Sequence, residues 1–200
     1  YDLASPADNV AYYRQFSSTY DEDFADTLGF ALPQIVVQIF QKYSTQTDTP
    51  IADLGCGTGL VGVELSAKHG AVDGLDISLE MLATAEAKNV YRHLIEVDLT
   101  KSVDTLKAKY GAVLSSGTFT HGHLGPDAID AAISLGKSKC LFVLSINKDH
   151  FETHGFGDKF RALQSESQIT EFSTEEVAIY SKSDHEHSGD RALIVSFRKP

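Results

Sequence analysis

Five short apolar runs, Ile51–Leu54, Ala71–Leu75, Leu94–Val97, Ala112–Ser115 and Cys140–Ile146, recur along the chain with helical patterns between them. Continuous apolar runs suit strands buried on both faces, and helices between successive strands make those strands parallel. Leu60, Val61, Glu64 and Leu65 begin one helix, which Gly70 ends. Ser78 caps a second through Met81, Leu82 and Ala85, and Pro126 opens another that Ile129, Ala132 and Ile133 carry to Gly136. Lys101–Tyr110 is assigned a further helix on thinner periodicity. After the fifth strand the rhythm changes. A helix near Phe156–Ser165 precedes two β-like stretches, Ile169–Tyr180 and Ala192–Phe197, separated by the polar segment Ser181–Gly189. The pattern predicts an α/β fold: a doubly wound, mostly parallel seven-stranded sheet with an antiparallel terminal hairpin and helices on both faces.

At 200 residues the chain fits one domain. Residues 46–200 read as its core and residues 1–45 as an N-terminal helical cover belonging to the same domain. In that cover Val10, Tyr13, Phe16 and Tyr20 have helical spacing, and Pro33 starts a second helix through Ile35, Val36, Ile39 and Phe40. Packing on the sheet and closing over a ligand are both open for this segment. Lys plus Arg number 17 against 28 for Asp plus Glu, a formal net charge of −11. Such a surface repels phosphate backbones and anionic lipid heads, so neither a nucleic-acid nor a membrane partner is expected. No apolar run has membrane-spanning length, and a cytoplasmic chain, monomeric or homodimeric, is the default. Cys56 and Cys140 are too few for a disulfide framework or a thiolate zinc site, and both read as small core residues.

The first strand runs into a glycine-rich turn, Ile51-Ala52-Asp53-Leu54-Gly55-Cys56-Gly57-Thr58-Gly59-Leu60. Leu60 stands where the dinucleotide fingerprint wants its last glycine, and no Lys-Ser/Thr pair follows as a phosphate-binding loop needs. Asp53 points the same way, because a carboxylate beside the turn opposes a pyrophosphate and attracts a ligand bearing ammonium and sulfonium charges. S-adenosylmethionine is such a ligand. Asp76 ends the second strand, where a carboxylate accepts hydrogen bonds from two ribose hydroxyls, and Asp98 ends the third, placed to meet an adenine amino group. Three acids in register with one glycine turn face the crevice where open α/β sheets bind ligands.

Asp53-Leu54-Gly55-Cys56-Gly57-Thr58-Gly59 resembles motif I of the class I S-adenosylmethionine-dependent methyltransferases, a Rossmann-like family. Asp76-Ile77-Ser78 with Met81-Leu82 and the turn Glu96-Val97-Asp98-Leu99 are similar to the segments that follow it there. The resemblance implies that Gly55 and Gly57 line the methionine end of S-adenosyl-L-methionine, with Asp53 near its ammonium group. It implies that Asp76 holds the ribose, that Ile77, Met81 and Leu99 sandwich the adenine, and that Ser115 or Ser116 offers a backbone carbonyl to the ammonium. Tyr12 and Tyr20 would close over the cofactor, and Arg14 would reach its carboxylate. Gly111 and Lys137-Ser138-Lys139 depart from the family's usual fourth-strand start and pre-fifth-strand turn. Gly57–Gly62 and the Ser116–Gly125 loop are most similar to the methyltransferase-like proteins of the Williams–Beuren region type.

Methyl transfer needs an aligned nucleophile, a water-poor cleft and sometimes a base. His121 and His123, after the fourth strand, are the candidate general bases, since imidazole titrates near neutral pH. As a metal pair, with Asp127, they lack a convincing third ligand, so no metal is expected; His185-Glu186-His187 reads as solvated surface. Ser116-Gly117-Thr118-Phe119 replaces the Asn/Asp-Pro-Pro-aromatic motif of base-amino methyltransferases. The expectation is therefore methyl transfer to an O, N or S atom of a small molecule, leaving S-adenosyl-L-homocysteine. The alternative is a non-catalytic module that binds the cofactor and regulates a protein partner.

Overall fold

Strand β1 (Ile51–Leu54) is buried at every position, as a central strand covered on both faces must be. Around it the computed structural model, which describes residue 21 and residues 27–66, 71–101 and 103–200, builds one seven-stranded sheet. In chain order the elements are α1 (Leu32–Tyr43), β1, α2 (Leu60–Ser66), β2 (Val72–Asp76), α3 (Leu79–Glu86) and β3 (His93–Glu96). A short 3₁₀ turn at Asp104–Leu106 leads to β4 (Tyr110–Phe119), α4 (Ala128–Leu135) and β5 (Gly136–Asn147). Then come α5 (Lys148–Thr153), α6 (Phe156–Ser165), β6 (Thr170–Ala178) and β7 (Arg191–Arg198). The strand order is β3-β2-β1-β4-β5-β7-β6, with the first five parallel and the β6–β7 hairpin antiparallel. Chain direction across the sheet reverses between β1 and β4, which opens a crevice at the carboxyl ends of those strands.

Side-chain alternation divides the sheet into two cores. Ala52, Leu54, Leu75, Val113, Phe142 and Leu144 face α4 and α6, where Phe142 and Phe197 stack with centroids 4.7 Å apart. Ile51, Val72, Ala112, Leu114, Leu141 and Val143 face α1 and α2. Pro33 in the first turn of α1 places Leu32, Val36, Val37, Ile39 and Phe40 into that second core. At the sheet's opposite end Arg198 forms a bidentate pair with the 4 % exposed Asp48, its guanidinium 2.9 and 3.0 Å from the two carboxylate oxygens.

The sequence expectation of a Lys101–Tyr110 helix is corrected. Val103, Leu106 and Tyr110 are buried but too sparse for a helical face, so the segment makes one 3₁₀ turn and Tyr110 begins β4. Lys137, Ser138 and Lys139 form no separate turn before β5; the strand absorbs them as an irregularity, with Lys139 at φ +66°. The aromatic stretch through Val10, Tyr13, Phe16 and Tyr20, and Gly70, lie outside the described residues.

Candidate active site

The turn after β1 is tight because Gly55 adopts φ +66° and passes close to β4: a Cβ there would lie 2.1 Å from Thr118 Oγ1. Thr118 Oγ1 and Ser115 Oγ donate to the Leu54 carbonyl at 3.1 and 2.8 Å, tying the strand end to β4. Gly57 N–H then donates to Asp76 Oδ2 at 2.8 Å, and Ser78 N–H donates to Asp76 Oδ1 at 2.9 Å. One carboxylate thus joins the glycine turn to the start of α3. Burial raises its pKa, against which the backbone donors work.

These pieces line one cavity at the carboxyl edge of the sheet. Its wall includes Gly55, Gly57, Asp76, Ile77, Met81, Asp98, Leu99 and Ser116 from the sequence-derived set, and also His123. Burial pulls the Asp98 pKa upward, but hydrogen bonds from Thr100 and Lys101 outweigh it and hold the carboxyl below its usual range. Ser116 Oγ is buried and has no hydrogen-bond partner among the described residues. Two carboxylates line the cavity, and no lysine or arginine is among its described lining residues. That wall favours a ligand carrying positive charge.

Several expectations land elsewhere. Asp53 does not line the cavity. Strand β1 continues one residue past it, so alternation turns its side chain to the face shared with α2, and it is completely buried. Its Oδ2 accepts a 2.6 Å hydrogen bond from Tyr91 Oη, which in turn accepts one from the Gly62 amide at 3.1 Å. A Cβ on Gly62 would lie 2.4 Å from the tyrosine ring, so this helix position must be bare for the ring to reach the carboxylate. Neither Ser115, which is fully buried, nor His121, which groups with His150 and His154, is among the residues lining the cavity. Burial, reinforced by His150, lowers the His123 pKa to about 4, so its imidazole is neutral at pH 7 but a weak proton acceptor. His185 packs edge-on against Tyr180 with both ring nitrogens closed off from solvent, which corrects its reading as solvated surface; Glu186 and His187 are exposed. Cys56 is buried within the glycine turn, as its reading as a small core residue requires. Tyr12, Arg14 and Tyr20 lie outside the described residues.

Other contributors carried no sequence motif. Phe30 and Pro33 supply a wall from the N-terminal segment, and Phe30 bridges in antiparallel fashion to Tyr180. Asp21 accepts a 2.6 Å hydrogen bond from Thr58 Oγ1 in the glycine turn and pairs with Lys88. The Tyr-Asp pair at residues 20–21 was the available signal for that contact.

Residues 51–136 match the family model described as methyltransferase domain. Over that stretch the chain is similar to methyltransferase domains, and the sheet built around it has the Rossmann-like form of class I methyltransferases. A curated methyltransferase of Geobacillus sp. (strain WCH70) is 36% identical over 76 residues, 38% of this chain and 31% of that one. Methyltransferase-like protein 27 of Homo sapiens is 30% identical over 127 residues, 62% of this chain and 51% of that one. The alignments thus span about a third to a half of the length of these relatives. Among solved structures, magnesium protoporphyrin IX methyltransferase from Synechocystis PCC 6803 with bound SAM superposes with TM-score 0.64 at 17% identity, covering 96% of this chain and 97% of that one. That likeness bears on the fold.

The residues present fit the family's cofactor. The turn is bare where a backbone must approach a ligand, Ser116 Oγ is an orphaned polar atom in the wall, and Ile77, Met81 and Leu99 give an apolar slot beside the Asp76 carboxylate.

Proposed function

We propose that this chain binds S-adenosylmethionine in the cavity and transfers its methyl group to an O, N or S atom of a small molecule. The observation that carries the reading is the acidic cavity wall joined to a glycine turn, with Asp76 gripping Gly57 and no basic residue among the described lining. When bound, the cofactor supplies an electrophilic sulfonium methyl group. Asp76 would receive the ribose hydroxyls on lone pairs that Gly57 and Ser78 leave open. Ile77, Met81 and Leu99 would hold the adenine, with Asp98 at its amino edge. Ser116 lies where an ammonium group would find a backbone carbonyl and an unpartnered hydroxyl.

His123 and Leu124 border the cavity beyond the glycine turn, and they mark the acceptor side. With its pKa near 4, His123 would orient an acceptor or accept a hydrogen bond from it better than it would carry off a proton. The non-catalytic alternative has no observation in its favour, and the chain matches a methyltransferase domain model over residues 51–136. Isothermal titration with S-adenosylmethionine and S-adenosylhomocysteine tests the reading. Saturable binding of both is expected, and binding of neither overturns it.

A further inference from the structure

Beside the cavity, three histidines from two separate stretches of the chain converge. His121 lies in the loop after β4, His150 is inside α5, and His154 caps its end. Each offers one ring nitrogen, and these three atoms lie within 4.8 Å of one another. The ring centroids of His150 and His154 are 4.2 Å apart, and those of His121 and His150 5.2 Å. Asn147 sets this up by capping α5, its Oδ1 accepting from the His150 amide at 3.1 Å, which turns His150 inward to 4% exposure.

The hydrogen bonds fix which nitrogens carry lone pairs. His150 Nε2 lies 3.0 Å from the Leu124 carbonyl, an acceptor only, so Nε2 bears the proton. Its Nδ1 is left as a lone pair, buried and without a hydrogen-bond partner among the described residues. Thr153 Oγ1 donates to the Asp149 carbonyl at 2.6 Å, so His154 Nδ1, 2.8 Å from the same hydroxyl, must be the donor there. That leaves Nε2 of His154 as its lone-pair nitrogen. A carbonyl on one imidazole and a hydroxyl on another are the outer contacts that orient metal-bound histidines.

We propose that His121, His150 and His154 form a site for a borderline divalent transition-metal ion such as Zn²⁺, next to the acceptor side of the cavity. Three imidazoles with no carboxylate select zinc-type ions over Mg²⁺ or Ca²⁺, which require oxygen ligands. Zn–N bonds of about 2.0–2.1 Å require nitrogens roughly 3.4 Å apart, so the rings must close by at most about 1.5 Å. His121 and His154 are exposed and can turn to do so, while His150 stays anchored. A three-histidine set leaves a fourth position for water or for an oxygen of a bound molecule. Leu124 ties the site to the cavity, since its carbonyl holds His150 and the residue also lines the cavity wall.

The test is Co²⁺ titration of the untagged, chelator-treated chain, read by visible absorption, with Zn²⁺ displacement. One equivalent with the intense bands of a four-coordinate ion is expected. Because loss of an outer contact alone costs roughly 10–100-fold in affinity, His121→Ala and His154→Gln should each cost no less. Both residues are exposed, so the variants keep the fold, which circular dichroism checks. His185→Ala/His187→Ala should leave the bands intact. Absence of a one-equivalent band in the parent chain, its survival in the His121→Ala/His154→Gln double variant, or its loss in the His185→Ala/His187→Ala variant overturns the site. The readout involves no methyl donor, so S-adenosylhomocysteine titration of the same samples scores the proposed function separately.

Discussion

Replacing Asp53 by asparagine isolates the most unusual electrostatic feature of the fold. The carboxylate is completely buried, accepts one hydrogen bond from Tyr91, and leaves Oδ1 without a partner among the described residues. Burial drives its pKa up to about 7; Tyr91 opposes the rise and Asp76 adds to it. Between the unfolded value near 3.8 and about 7, the folded chain holds a proton that the unfolded chain has released. Stability from this group is therefore full below the unfolded value of 3.8, falls steadily as pH rises, and is lost once pH has passed about 7. Roughly three pH units at about 1.4 kcal/mol each make the whole effect about 4 kcal/mol, of which about 2.5 kcal/mol falls between pH 5 and pH 8. Asparagine mimics the neutral acid and does not titrate. Urea unfolding of both chains at pH 5, 6, 7 and 8 should show the parent losing about 2.5 kcal/mol more than Asp53→Asn across that range. Carboxyls with depressed values, such as Asp48 and Asp98, pull the other way but are common to both chains and cancel. Parallel profiles, or a parent that gains on the variant as pH rises, would refute the reasoning by showing that the ionised carboxylate is satisfied.

Tyr91→Phe removes the donor to Asp53 and the acceptor for the Gly62 amide; a loss of about 1–3 kcal/mol is expected in urea unfolding at pH 8, where Asp53 ionises. Asp76→Ala deletes the acceptor of two backbone amides and of the proposed ribose contacts. At about 1.5 kcal/mol or more for each bond to the charge, affinity for S-adenosylhomocysteine in calorimetry should fall by about 100-fold or more. Arg198→Met strands the buried Asp48 and should cost about 3–5 kcal/mol at pH 7, measured by urea unfolding. Adding Asp48→Asn to that variant should recover part of the loss.

The order of elements was legible because burial writes itself into local patterns. The unbroken apolar runs of β1 and β5, the Ser78 cap of α3, and the Phe156–Ser165 helix all stand in the structure near their expected bounds. Where the pattern thinned, at 101–110, reading a helix from it failed, because Val103, Leu106 and Tyr110 are buried by neighbours and not by a common face. Asp53 shows a different limit. Its position one residue before the strand end is a matter of register, and a shift of one residue moves a side chain from the crevice to the opposite face of the sheet. Its partner Tyr91 lies 38 residues downstream, in a stretch with no motif, so nothing local announced the pair.

The histidines carry the same point to function. Read along the chain, His121 and His123 are neighbours and look like a pair. The structure separates them, sending His123 to the cavity and His121 to the cluster with His150 and His154. The two histidines that join His121 come from the helix that follows β5 and from its cap, brought alongside because β4 and β5 are paired and both of their following segments emerge at the same sheet edge. Catalytic and ligand chemistry in this architecture gathers where parallel strands end, so residues distant in sequence meet there as a consequence of the winding. The glycine turn is legible because one stretch of chain makes it by itself; the side of the cavity that carries His123 and Leu124 and adjoins the histidine cluster is assembled from several segments and appears only once the sheet is built.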